Sequence, residues 1–167
     1  GTGRLPLPLA VTNKASDAVV LALLAAHPEG AKEKERSGRL PLHFAFEKEA
    51  SDAVALALLA ANPEGAKEKD GISKLPLHYA VENKASDAVV LALLAACAEG
   101  AKQEKDGLGW LPLHKALENK RSDIVVLALL EVYPLASLRK DGSGRLPLDI
   151  ALESGAAREV LAALAQA

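Results

Sequence analysis

Three histidines, His43, His78 and His114, return on spacings of 35 and 36 residues, each inside the string LPLH. Imidazole is a common zinc ligand and the usual proton carrier near neutral pH, so a periodic set is the first chemistry to weigh. Zinc holds its nitrogens at about 2.0–2.1 Å, whereas packed helices sit about 8–10 Å apart. Histidines supplied one per layer do not converge on one ion, and no metal site is expected. His27 stands alone and reads as a solvated helix end. The single cysteine, Cys97, excludes an internal disulfide and a multi-cysteine zinc site, and reads as a small packing residue. The glycine strings GTGR, DGLGW and DGSGR do not complete G-x-G-x-x-G after a strand and carry no Walker lysine. Nor does the chain contain a G-x-S-x-G elbow or H-E-x-x-H. The expectation is a non-catalytic protein without a cofactor.

The elements that carry these residues repeat. The phrase LPL starts at Leu5, Leu40, Leu75, Leu111 and Leu146, at spacings of 35, 35, 36 and 35, with the extra residue of the third interval assigned to Gln103. Each unit reads as two helices and a turn. The first helix starts at Pro6, Pro41, Pro76, Pro112 or Pro147, since proline at the first helical position forfeits no helical hydrogen bond. The second follows Ser16, Ser51, Ser86 or Ser122, a capping hydroxyl with an Asp directly after it at the positive end of the helix dipole. It ends near Pro28, Pro63 and Pro134, with Gly30, Gly65 and Gly100 beyond, and a charged connection closes the unit. In SDAVVLALLAA, Val20, Leu23 and Leu24 share one face while Ala18, Leu21, Ala22 and Ala25 share another. A helix apolar nearly all round is expected to be buried on several sides, which two helices alone cannot achieve but a stack can. The fold class is therefore all-α: one helix-turn-helix repeat solenoid over 1–167, with five stacked repeats at about 1–35, 36–70, 71–106, 107–141 and 142–167. The first and last are expected to act as caps.

Composition narrows the function. The 20 Lys and Arg are balanced by 22 Asp and Glu, a formal charge of −2, which argues against nucleic acid and against an anionic membrane. The longest apolar run, Ala88–Ala98, would span under ~20 Å as a helix, against about 30 Å of hydrocarbon. The N-terminus lacks a signal-peptide pattern and the chain has no methionine, which reads as a trimmed chain or fragment. An intracellular, cytoplasmic setting is expected.

With LPLH, paired helices and a D-G-x-G turn in place, the sequence resembles the ankyrin-repeat family, as in DGLGWLPLHKA followed by IVVLALL at Ile124–Leu130. Three departures stand out. Each unit is two residues longer than the family's usual one, with one extra residue between the helices and one after the second helix. The Thr before Pro is Leu throughout, which removes a hydroxyl cap worth ~1 kcal/mol. The last unit, with Gly155 and with Asp149 for His, reads as returning to the shorter inter-helix spacing.

The resemblance implies a structural histidine that bonds backbone across layers, and recognition by the turn tips and the concave face of the first helices. Carried over, the tips are Arg36, Ser37 and Arg39; Gly71, Ile72 and Lys74; Gly107, Leu108 and Trp110; and Gly142, Ser143 and Arg145. The first-helix positions are Glu47, Lys48, Glu82, Asn83, Glu118 and Asn119. Ile72, Leu108 and Trp110 would form an apolar patch flanked by Lys74 and Arg145, with Trp a frequent hot spot; alternatively Trp110 folds back and covers the stack. Phe44, Phe46 and Tyr79 read as inter-helix packing. The expected partner is a protein, with neither nucleic acid nor membrane involved, and the chain itself is a monomer. Two other readings stay open: weak self-association through Leu21, Leu56, Leu91 and Leu127 on the second helices, or a consensus-like engineered array without an evolved partner.

Overall fold

A computed structural model describes residues 6–104 and 109–166. Five helix pairs follow one another: α1 (Pro6–Thr12) with α2 (Asp17–Ala26), α3 (Pro41–Glu47) with α4 (Asp52–Ala61), α5 (Pro76–Glu82) with α6 (Asp87–Ala96), α7 (Pro112–Glu118) with α8 (Asp123–Val132), and α9 (Pro147–Ser154) with α10 (Arg158–Gln166). Odd-numbered helices pack successively on one another, as do the even-numbered ones, so the molecule is a two-layer all-helical stack.

The local signals work as read, with one substitution of parts. Ser51, Ser86 and Ser122 accept from the N–H of Val54, Val89 and Val125 at 3.3, 3.4 and 3.3 Å; Ser16 makes no such bond. At the first helices no Thr is available, and the imidazole reaches back instead. His43, His78 and His114 Nδ1 accept from the N–H of Leu40, Leu75 and Leu111 at 3.1, 3.0 and 3.1 Å. In α9 the Asp149 carboxylate does the same for Leu146 N–H at 2.9 Å.

The core consists of Leu, Val and Ala contributed by every layer. Val54, Leu58, Val89, Leu93, Val125 and Leu129 are each at most 1 % exposed. Fully burying a Val or Leu contributes about 1.5–3 kcal/mol, and here it takes a neighbouring layer to do it.

Four expectations need correction. The second helices are not covered all round: Ala18, Ala53, Ala88 and Ala95 face out, and Leu56 and Leu91 are 38 % and 39 % exposed, while Leu21 and Leu127 are half-buried. The outward face tolerates this because Ala offers little apolar area. Second, the residues after those helices are not simply a charged connection. Pro28–Lys32, Pro63–Lys67, Ala98–Lys102 and Pro134–Leu138 form 3-10 turns. Gly30, Gly65 and Gly100 lie buried inside the turns rather than terminating a helix; a Cβ there would come within 3.3, 3.1 and 3.3 Å of the side chains of Leu7, Leu40 and Leu77.

Third, the extra residue of the third interval is not Gln103. The Gln103 carbonyl occupies the place of the Glu68 carbonyl, each facing a histidine Nε2. Cross-repeat pairs keep the same register: Lys34 with Glu68 at 2.7 Å, Lys69 with Gln103 at 2.8 Å, and Arg139 with Glu104 at 2.6 Å. Gly109 has the left-handed φ of Ser73 (75° against 64°), so the count places the insertion within 105–108, outside the described residues. Fourth, the last inter-helix connection is not shorter. Gly155 (φ 72°) stands where Lys14, Glu49, Lys84 and Lys120 stand in the other units, with φ between 51° and 57°. The same backbone N–H bond closes each connection, Ala85 to Ala80 and Ala156 to Ala151, both at 2.9 Å.

Candidate protein-binding face

The turns ahead of the first helices form a row of short fingers. At Asp70–Lys74 the backbone closes on itself, Asp70 N–H to Lys74 carbonyl and Ser73 N–H to Asp70 carbonyl, both at 3.0 Å. The Asp70 carboxylate then accepts from the N–H of Ile72 at 3.0 Å and of Lys74 at 2.9 Å. Asp141 repeats the arrangement with Ser143 and Arg145 at 2.8 and 2.9 Å. Neighbouring fingers are joined by Gly71 N–H to the Ser37 carbonyl at 2.8 Å.

Burial works against ionisation of Asp70, but the Tyr79 hydroxyl, donating at 2.7 Å, and the two backbone N–H groups outweigh it and hold the carboxyl below its usual range. Asp141 is likewise held low, its backbone and Arg145 bonds overcoming burial. Burial and the Asp70 carboxylate together push the Tyr79 hydroxyl far up, so it remains a proton donor. The fingers are therefore fixed by charge-assisted hydrogen bonds at their base.

The residue at the end of each finger is held from below. Arg39 pairs with Glu47, Lys74 with Glu82 at 2.8 Å, and Arg145 with Glu153 at 3.2 Å. The same cations lie against rings: Arg39 is 5.0 Å from the Phe44 centroid and Lys74 is 4.9 Å from that of Tyr79. In the fourth unit the finger residue is Trp110, and Lys115 from α7 sits 3.9 Å over its ring, with Arg145 at 5.7 Å. Phe44 and Tyr79 are thus packed, as expected, and each also faces a finger cation.

The histidines tie the layers together. Nε2 of His43, His78 and His114 lies 3.1, 3.0 and 2.9 Å from the carbonyls of Glu68, Gln103 and Arg139. Since Nδ1 accepts, Nε2 carries the proton and donates. Burial lowers all three pKa values, against the opposing pull of these carbonyls and nearby carboxylates. Among the described residues no cluster of three or more His, Cys, Asp or Glu is placed to hold a metal, and no helix is long and apolar enough to cross a membrane.

The family model described as "Ankyrin repeats (3 copies)" matches residues 77–167. The chain belongs to the ankyrin-repeat family. No curated protein matches it. Ankyrin repeats generally serve as protein–protein interaction modules.

On this ankyrin stack the residues singled out from sequence fall into distinct places. Arg36, Ser37 and Ile72 are exposed at finger tips, Ile72 by 60 %. Lys74 is only 9 % exposed, and Arg39 and Arg145 are half-buried in ion pairs. Lys48 is half-buried against Glu47 at 3.0 Å, and Asn83 and Asn119 are half-buried at the C-termini of α5 and α7. Trp110 is half-buried between two cations. Leu108 and Gly107 lie outside the described residues. Sequence reasoning missed the anchoring carboxylates Asp70 and Asp141, and it missed Lys115. The signal for Lys115 was available: where the finger changes from cation to aromatic, the helix residue changes from aromatic to cation.

Proposed function

We propose that the chain captures a protein partner through its finger tips and the adjoining concave surface of the first helices. The observation carrying this reading is Ile72: a β-branched apolar side chain, 60 % exposed, at the tip of a finger whose base is locked by the Asp70 carboxylate. An apolar group displayed on a fixed support loses little ordering entropy on association. Arg36 on the preceding finger adds an exposed cation, while Arg39, Lys74 and Arg145 are committed to the stack.

The test is selection of peptide ligands from a displayed library on the immobilised chain, followed by titration of point variants. Ile72→Asp and Arg36→Glu are expected to weaken a selected ligand at least tenfold with the melting temperature within a few degrees of the parent. Ligands that bind both variants as well as the parent would place recognition elsewhere.

A further inference from the structure

Three fingers are described along their whole length, and their bases are not held alike. In the second repeat Glu35 takes the place of Asp70, and among the described residues its carboxylate accepts from no backbone N–H. In the last repeat Asp141 binds the backbone of its own finger, and its second oxygen accepts from the Arg145 guanidinium at 3.0 Å, again a group of the same finger. Only in the third does a helix side chain reach the carboxylate. Asp70 Oδ1 accepts from the N–H groups of Ile72 and Lys74, and Oδ2 accepts from the Tyr79 hydroxyl of α5 at 2.7 Å. The places equivalent to Tyr79 hold Phe44, Lys115 and Ile150, none with a hydroxyl. The finger tied in this way is also the one with an apolar tip: where it has Ile72, the second and last have Ser37 and Ser143.

We propose that Tyr79 is the positioning residue of the Ile72 finger, and that a partner is selected chiefly through that finger, which rests on the binding reading above. Tyr79 is itself immobilised. Its ring meets the His43 ring of the preceding layer edge-on, with centroids 5.9 Å apart. The Lys74 ammonium lies 4.9 Å from its centroid and is held there by Glu82 at 2.8 Å. The clamped ring fixes where the hydroxyl points, and the carboxylate it binds holds the N–H groups at and beyond the tip. Hydrogen bonds to a carboxylate are about twice as strong as those between neutral groups, so the chain from Tyr79 through Asp70 to Ile72 sets the tip relative to α5. A tip fixed in this way loses less freedom on association than one on an unanchored turn.

Tyr79→Phe in the full chain tests this. It removes the hydroxyl and keeps the ring, and Phe44 beneath Arg39 shows that a phenyl group fits under a finger cation. His43 also faces Asp70, and its ring contact survives the change. Two measurements need no ligand. Amide exchange at Ile72 and Lys74 is expected to quicken while that at Ser143 and Arg145 stays as in the parent. The Asp70 carboxyl, followed by carbon NMR, is expected to titrate at higher pH than in the parent, because it loses a donor to its charged form, while Asp141 does not move. The third measurement uses peptides selected on the parent from a displayed library. Those that Ile72→Asp weakens are expected to lose about tenfold in Tyr79→Phe. Those indifferent to Ile72→Asp are expected to bind it unchanged, with the melting temperature within a few degrees of the parent. Unaltered exchange and titration would overturn the positioning role. Ile72-dependent peptides that bind Tyr79→Phe as tightly as the parent would overturn its part in selection, as would an equal loss across all peptides. If no Ile72-dependent peptide emerges, the binding reading fails and selection through this finger with it, while exchange and titration still decide what holds the finger.

Discussion

The ammonium of Lys115 lies 3.9 Å above the indole of Trp110, and one repeat earlier the same contact is made with its members exchanged, Lys74 on the finger and Tyr79 on the helix. The second, third and fourth repeats keep a cation–ring contact at that joint while the residue type at either position changes. A partly desolvated pair of this kind contributes about 0.5–2 kcal/mol.

Exchange of the two members can therefore be tested directly. Trp110→Lys and Lys115→Tyr are each expected to lower stability by about 1 kcal/mol, and the double variant to recover most of the loss. Urea unfolding of the four species measures the coupling. Strictly additive losses would mean that Trp110 contributes by burial alone.

The connections between helices hold Lys14, Glu49, Lys84 and Lys120 in the left-handed region, where the last repeat has Gly155. That region costs a non-glycine residue roughly 1–2 kcal/mol, part of which glycine returns through greater freedom in the unfolded chain. Lys84→Gly should raise stability by about 0.5–1 kcal/mol, and Gly155→Ala should lower it by a similar amount. Thermal unfolding would show shifts of opposite sign.

Gly71 is required for a different reason, close approach. A Cβ there would lie 2.7 Å from the Ser37 carbonyl oxygen, a backbone atom that cannot step aside. Gly71→Ala should break the finger-to-finger hydrogen bond and cost about 1–3 kcal/mol, with faster amide exchange at residue 71 than in the parent. If exchange at that amide is unaltered, the fingers are not coupled through it.

The histidines set a pH dependence. Each is neutral in the folded stack, with its pKa lowered by burial, and protonation at Nδ1 would oppose the N–H of Leu40, Leu75 or Leu111. The unfolded chain takes up these protons near pH 6.5, so stability is complete above that value and falls as pH drops below it. The limiting slope is about 1.4 kcal/mol per pH unit for each histidine. Asp70 and Asp141, held low when folded, add a second loss only at more acid pH, below their unfolded value of about 3.9. Unfolding midpoints at pH 7.5, 6.5 and 5.5 should drop over the second interval more than the first. A flat response would show that the imidazoles stay protonated or exposed.

Much of this architecture is legible in one dimension. Proline at the helix start, Ser-Asp at the next and the period of the LPL phrase are local signals, and local backbone chemistry places the helices wherever they occur. The 3-10 turns escaped such reading because PEGAK looks like a polar connection until its Gly65 and Ala66 are seen buried, with Gly65 against Leu40 at the start of the same unit's first helix. The finger cations looked available because nothing local announces that Glu82, eight residues along, will hold Lys74.

The same eleven letters, SDAVVLALLAA, begin at Ser16 and at Ser86, and in both places they form a helix of the same length. Helix length and family were thus decided by the sequence itself, whereas the serine cap was not: Ser86 accepts from Val89 N–H and Ser16 makes no such bond. Nor was burial: Val19 is 48 % exposed and Val89 is 1 % exposed, although their local sequences are identical. Only the tertiary stack decides which faces are core and which remain open to a partner, because removing apolar area from water requires a second surface that the helix cannot supply for itself.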